Sequence, residues 1–229
     1  MSGRTVLVTG ATRGIGREVA RQLVGRGDRV VVTGRDPAAA ARTAAAIGGG
    51  AMSVQLDVTD QASVDSAART VTDELGALDA LVNNAAIHYD AWQRAATANL
   101  TVVQEALDTN LLGAWRVTIA FLPLLRLSRQ GRIVNVSSES GSLASMGAGT
   151  PAYHVSKAGL NALTRTLAAE LRHARILVNA ICPGWVATDM GGPGGRAVAE
   201  GATSVIWAID LPDDGPTGGF FRDGRPLAW

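Results

Sequence analysis

The tightest constraint on the fold is a rhythm. Short apolar, β-branched runs alternate with longer stretches of helical character. Residues 4–10 (RTVLVTG), 28–34, 51–58, 78–85, 131–138 and 175–182 read as strands, and 14–26, 37–47, 60–75, 100–127, 152–173 and 195–210 as helices. The strands are apolar almost throughout rather than alternating, as expected for a parallel sheet covered on both faces. The pattern predicts an α/β, doubly wound architecture with right-handed crossovers. GGFFRDG at 218–224 adds a short last strand, making a mostly parallel seven-stranded sheet flanked by helices. The GGG at 48–50 reads as a helix stop. No linker-like composition and no repeat interrupts residues 1–229, so the chain reads as a single domain.

The first strand runs into TGATRGIG at 9–16, which opens the first helix. Gly10, Gly14 and Gly16 permit a tight turn and a close approach of backbone to a phosphate. The helix start beyond them offers free N–H groups and the positive end of a dipole to a pyrophosphate. The setting is that of a Rossmann nucleotide-binding turn, but the spacing differs from G-x-G-x-x-G. TGxxxGxG resembles the fingerprint of the short-chain dehydrogenase/reductase family, and the resemblance runs from end to end of the chain. It implies a cofactor site formed by Gly10, Thr12, Arg13, Gly14, Ile15 and Gly16, by Asp57 and Val58 at the adenine, and by Asn84 and Ala85 in NNAA. PGWVAT at 183–188 adds Pro183, Gly184, Val186 and Thr188, the last near the nicotinamide carboxamide. Ala86 departs from the family's Asn-Asn-Ala-Gly, which tightens the backbone there.

An acid about 20 residues after the glycines normally binds the ribose 2′-hydroxyl. Asp36 lies at that distance, but Asp36-Pro37 also reads as an N-cap followed by proline at the first helical position. Where the family places its NAD-selecting acid, this chain has Gly34. Arg35 follows it and Arg13 sits in the glycine turn, so two guanidiniums are available to clamp a 2′-phosphate; the alternative is two solvated surface charges. The expectation is NADP(H) over NAD(H).

YHVSK at 153–157 contains Lys157, the single lysine among 21 basic residues, and Tyr153, one of two tyrosines. Four residues apart on a helix, the two share a face. A neighbouring cation lowers the pKa of a phenol, and an ammonium carries three rotatable donors that the planar guanidinium of arginine places differently, so Lys157 can also hold ribose hydroxyls and, with Tyr153, belongs to the expected cofactor site. The pair has the spacing of a general acid and its helper. The resemblance adds Ser138 in NVSSESG as the hydroxyl that holds a substrate oxygen, with Ser140 as the rival and Ser137 expected to face away by strand alternation. It also adds Asn110 in DTNLLGA as the anchor of a proton-relay water near Lys157.

The reaction this implies is hydride transfer from NADPH to a ketone, aldehyde or quinone carbon, with Tyr153 as general acid. From ILVNAICPGWVATDMGGPGG (176–195) to LPDDGPTGGFFRDGRPLAW (211–229) the chain resembles the carbonyl reductase branch. The reverse alcohol oxidation and a non-catalytic NADP-binding regulator are the competing readings. An enoyl reductase is disfavoured by the Tyr–Lys spacing. Fourteen residues separate Ser138 from Tyr153, leaving no room for the insertion of monomeric members, so a homodimer or homotetramer is expected. His88, Tyr89, Trp92, Leu143, Met146, Trp185 and Met190 are candidate walls of an apolar substrate pocket. Residues 185–200, with GGPGG as a hinge, are a candidate lid.

A net charge near +1 with dispersed arginines gives no footprint for nucleic acid or an anionic membrane. No apolar run approaches the roughly 20 residues of a bilayer span, and no metal-ligand spacing occurs. With one cysteine, Cys182, there is no internal disulfide. These features lead to an expectation of a cytoplasmic protein.

Overall fold

In the strands, side chains on successive residues leave opposite faces of the backbone, and the core divides accordingly. The computed structural model describes residues 3–87 and 89–229. On one face Leu7, Val31, Leu81, Ile133 and Val178 pack into a single buried cluster. On the other Val6, Val8, Val30, Val32, Val82, Val134 and Ile181 form a second. Both faces are dry, so the strands show no polar alternation.

The strands are β1 (Thr5–Val8), β2 (Arg29–Gly34), β3 (Met52–Gln55), β4 (Ala80–Asn83), β5 (Arg132–Val136), β6 (Leu177–Ile181), β7 (Phe220–Arg222) and β8 (Arg225–Pro226). Their order is β3-β2-β1-β4-β5-β6-β7-β8. Every pairing is parallel except β7 with β8. The eighth strand, beyond the expected seven, is two residues long and holds a proline, too short to carry a periodic signal. β3 is shorter than the run 51–58 because the chain turns at Asp57, whose carboxylate accepts from Thr59 N at 3.0 Å and Thr59 Oγ1 at 2.7 Å.

Helices α1 (Gly14–Gly25), α2 (Pro37–Ile47) and α7 (Val198–Ile209) lie on the second face, and α3 (Gln61–Leu75) on the first. The helical stretch at 100–127 is not one α-helix. It is α4 (Leu100–Leu107), a π-helical turn (Asp108–Gly113) and α5 (Ala114–Leu125). The last long helix before β6 is α6 (Pro151–Leu171). α5 and α6 cover the first face through Val117, Phe121, Leu160, Leu163 and Leu167. Phe121 is fully buried, and cutting it to alanine would cost about 3–5 kcal/mol. Among the described residues no helix is long and apolar enough to cross a membrane.

Candidate functional site

The strand order reverses between β1 and β4, and a crevice opens beyond the carboxyl ends of the strands at that switch point, as doubly wound sheets require. It is a cleft of about 460 Å³. Gly10, Thr12, Arg13, Gly14 and Ile15 line it from the first turn, Gly34, Arg35 and Asp36 from the end of β2, and Asp57 and Val58 from the end of β3. Asn84, Ala85, Tyr153, Lys157, Pro183 and Thr188 also line it. Gly16, Gly184, Val186, Asn110 and Ser138 are not part of that lining.

The glycine turn is held to β4 by side-chain bonds. Thr9 Oγ1 accepts from Asn84 N at 2.9 Å and Ala85 N at 3.0 Å, while Asn84 Nδ2 donates to Thr9 O at 2.8 Å. A Cβ on Gly16 would collide with Asn84 Nδ2, so this residue shapes the turn from behind. Gly14 stands at φ 54°, where a side chain is strained, and leaves the helix start open. Ala86 is not in the left-handed region, so the absent glycine costs no backbone strain there.

Helices α2, α3 and α4 are each capped by their own side chain: Asp36 accepts from Ala38 N, Asp60 from Ala62 N and Asn99 from Thr101 N. α1 is not. Arg13 at its N-cap makes no capping bond, and its first turn has no acid. Its first N–H groups therefore face the cleft without a side-chain acceptor, a ready seat for an anion.

At the β2 end, Asp36 is occupied as a helix cap, with Oδ1 accepting from Ala38 N at 2.9 Å. A Cβ on Gly34 would come within 2.6 Å of Thr12 Cγ2, so a side chain at the place of an NAD-selecting acid would require Thr12 to shift. Arg35 borders the cleft. Arg13 does too, but its Nη1 is paired with Asp189 Oδ2 at 3.0 Å, which ties the glycine turn to the loop after β6. Both partners are well exposed, and such a pair is weak and exchangeable.

Tyr153 and Lys157 lie on the same face of α6, with Lys157 Nζ 5.6 Å from the centroid of the phenol ring. Nζ donates to Val136 O at 2.8 Å, at the end of β5. The expectation of an acidified phenol needs correction. Burial pushes the Tyr153 pKa well above the ordinary phenol value, and the hydrogen bond with Ser138 offsets only part of that. The same burial lowers Lys157 to about 8. Desolvation opposes charge on both groups, and it outweighs any mutual stabilisation.

Ser138, rather than Ser140, meets the phenol. Its Oγ also accepts from Ser140 N at 3.1 Å, which fixes the short turn Glu139–Gly141. Ser137 borders the cleft, yet its hydroxyl donates to Asn161 Oδ1 at 2.6 Å and is committed to the core. Asn110 sits in the π-helical turn. Its Oδ1 accepts from Ile87 N at 2.8 Å, and its Nδ2 donates to Ile87 O and Ser156 Oγ, both at 3.0 Å. The side-chain amide thus clamps the loop after β4 onto α6.

Tyr89 packs edge-on against Tyr153 with centroids 5.3 Å apart. Trp92, Leu143, Trp185 and Met190 are exposed and Met146 half-buried; His88 lies outside the described residues. The segment after β6 is folded on itself: Trp185 Nε1 donates to Gly191 O at 2.7 Å, and backbone bonds join Arg196 to Trp185 and Ala187. That pairing explains why α7 starts at Val198 rather than at 195. The sequence reading missed Asp90. Fully buried, it accepts from the N–H groups of Ala152 and Tyr153. Thr150-Pro151 looks like a self-capped helix start, so nothing local pointed to a remote carboxylate.

Chemically, the cleft offers an anion seat at one helix start and a phenol and an ammonium at its other wall, with the Ser138 hydroxyl against the phenol. Such a site can hold a phosphate-bearing ligand and deliver a proton to an oxygen beside it. A family model for short chain dehydrogenases matches residues 4–197. The 3-oxoacyl-(acyl-carrier-protein) reductase of Vibrio harveyi is 36% identical over 196 residues, covering 83% of this chain and 76% of that one. The (+)-neomenthol dehydrogenase of Arabidopsis thaliana is 35% identical over 284 aligned positions, covering 95% of each. An NADPH-bound carbonyl reductase from chicken fatty liver superposes with a TM-score of 0.91 at 31% identity, covering 100% of this chain and 95% of that one.

Proposed function

The chain belongs to the short chain dehydrogenase family, and from that premise we propose that it is an NADPH-dependent reductase of a ketone, aldehyde or quinone, with Tyr153 as the proton donor. The observation that carries the reading is the pairing of Tyr153 and Lys157 at the wall of a cleft whose other wall is the uncapped start of α1, with the Ser138 hydroxyl against the phenol.

The cradle fits a dinucleotide. The bare N–H groups of α1 suit its pyrophosphate, Asp57 and Val58 border the adenine end, and Asn84 and Ala85 back the turn. Pro183, Gly184, Val186 and Thr188 belong to the segment that would face the nicotinamide. NADP(H) is favoured over NAD(H), because Arg13 and Arg35 line the cleft beside the β2 end, where Gly34 supplies no competing carboxylate. The bound nicotinamide supplies the hydride.

The chain's own residues do the rest. Ser138 holds the carbonyl oxygen through its hydroxyl, and Tyr153 gives that oxygen its phenolic proton. Burial keeps the phenol protonated at neutral pH, the state an acid must start from. As its proton leaves, the nearby Lys157 ammonium stabilises the phenolate. Asn110, by gripping Ile87 and Ser156 with its side-chain amide, steadies both walls. The same groups serve the reverse oxidation of an alcohol.

Tyr89, Trp92, Leu143, Trp185 and Met190 are proposed as an apolar, partly aromatic surround suited to a hydrophobic carbonyl compound; all five are exposed, Met190 borders the cleft and Tyr89 packs on Tyr153. Residues 185–200 are proposed to close over it. Leu100, Leu112, Trp115, Ile119 and Val155 leave an exposed apolar surface along α4, the π-helical turn, α5 and α6, which is proposed to pair subunits into a dimer or tetramer. The test is Tyr153→Phe. Ketone-dependent NADPH oxidation should fall about 10²–10⁴-fold, while NADPH affinity, read by fluorescence titration, stays within about twofold because the phosphate seat is untouched. Substantial turnover by that variant would remove Tyr153 from the role.

A further inference from the structure

Helix α6 cannot start on its own resources. Thr150 occupies its N-cap position at φ 39° and ψ 50°, and the hydroxyl caps nothing. Pro151 contributes no N–H. The next two donors, Ala152 N and Tyr153 N, are buried, and leaving a buried amide unpaired costs about 1–3 kcal/mol. Both are met from a distant part of the chain. Asp90 Oδ2 accepts from Ala152 N at 3.0 Å, and Asp90 Oδ1 from Tyr153 N at 3.1 Å.

The carboxylate is fully buried and is itself held in place. Gln93 Nε2 donates to Oδ2 at 3.0 Å, and Gln93 Oε1 accepts from Asn99 N at 2.7 Å. Asn99 in turn caps α4. The loop 89–99 and the first turns of α4 and α6 therefore form one hydrogen-bonded unit. Burial pushes the Asp90 pKa up, but the Ala152 and Tyr153 N–H groups and Gln93 outweigh it, so the group stays ionised. One residue earlier, Tyr89 lies against the Tyr153 ring.

We propose that Asp90 is a positioning residue for proton delivery, gripping the backbone N–H of Tyr153 so that its phenol is fixed against Ser138 and against the loop that walls the substrate pocket. The inference rests on reading Tyr153 as the acid. It is distinct from a general need for helix stability, because the bond is made to the reacting residue itself. A misplacement of about 1 Å at a reacting group costs about 10²-fold in rate.

The experiment compares Asp90→Ala and Asp90→Asn with Leu171→Ala, a buried change at the far end of α6. Asp90→Ala should lower kcat about 10²-fold with NADPH affinity unchanged within about twofold. Asp90→Asn keeps one acceptor oxygen and should recover part of that loss. Leu171→Ala should lower the melting temperature at least as much, yet hold kcat within about twofold when assayed well below melting. Wild-type kcat in Asp90→Ala, or an equal loss of kcat in Leu171→Ala, would overturn the proposal. If Asp90→Ala does not fold, Asp90→Asn carries the test. Amide exchange gives a readout independent of turnover: protection should fall together in residues 89–99 and 150–157 and hold in 164–171. If the wild type reduces no carbonyl, the reductase reading fails. Unchanged exchange in those two segments would then overturn the coupling as well.

Discussion

Helices α1 and α6 both begin beside the cleft at the carboxyl ends of the strands, and neither is capped by its own N-cap side chain. At α1 the first turn carries no acid, and the cleft lies in front of it. At α6 a carboxylate from a remote loop seals the first turn completely. The difference teaches what each end is for. An open helix start carries about half a positive charge, which attracts a phosphate. At α6 the Asp90 carboxylate occupies the first N–H groups, so no anion seat remains there, and its bond to Tyr153 N holds the residue still. One end binds; the other orients.

The hardest way to break that comparison is to make α1 resemble α6. Arg13 has extended backbone angles, φ −157° and ψ 175°, which an N-cap aspartate adopts without strain. Arg13→Asp should cap α1 and raise stability by about 1 kcal/mol, or about 2–4 °C in melting temperature for a chain of this size. NADPH affinity should fall about 10³-fold, since the seat is filled and the charge reversed. Arg13→Ala sharpens the result, with NADPH weakened about 10-fold and NADH unaffected. If Arg13→Asp binds NADPH normally, the open end of α1 is not the phosphate seat.

A second, smaller effect separates holding from charging at the α6 wall. Burial lowers the Lys157 pKa to about 8 from an ordinary 10.5. Between those values the unfolded chain carries a proton that the folded chain has released, so stability from this group rises with pH across that window. Below about pH 8 the buried ammonium exacts its full cost. Above about pH 10 Tyr153 acts the other way: the unfolded chain loses the phenol proton first, and stability falls. Lys157→Met should therefore melt higher than the cofactor-free wild type at pH 7, with the gap closing toward pH 10. Its kcat at pH 7 should drop about 10²-fold for lack of a cation beside the forming phenolate. Thermal melts across pH check the sign; a variant that melts lower at pH 7 would show that the Val136 hydrogen bond outweighs the desolvation.

These outcomes also mark what was legible in the sequence. The strand rhythm, the glycine turn and the four-residue step from Tyr153 to Lys157 are local patterns, and local spacing specifies local geometry. The Asp36 cap of α2 was readable for the same reason. What escaped was set at long range. The 3.6-residue period runs unbroken through 100–127, so the π-helical turn has no sequence signature; Asn110 is drawn to Ile87, and Gly113 packs beneath Val58. Asp90 acts across 62 residues and Arg13 across 176. The ionisation of Tyr153 was misjudged because spacing reveals a neighbouring charge but not how dry the site is.

The smallest effect concerns Thr150, and it tests which group sets the start of α6. A β-branched residue at φ 39° is strained by roughly 1–2 kcal/mol, and its hydroxyl earns no cap in return. Asparagine tolerates that region better, so Thr150→Asn should raise the melting temperature by about 2–4 °C. Turnover should not change, because the N–H groups of Ala152 and Tyr153 answer to Asp90 and not to residue 150. If kcat moved with Thr150→Asn as much as with Asp90→Asn, the strained turn would be what places the phenol. The contrast between the two helix starts would then lie in backbone strain rather than in a buried carboxylate.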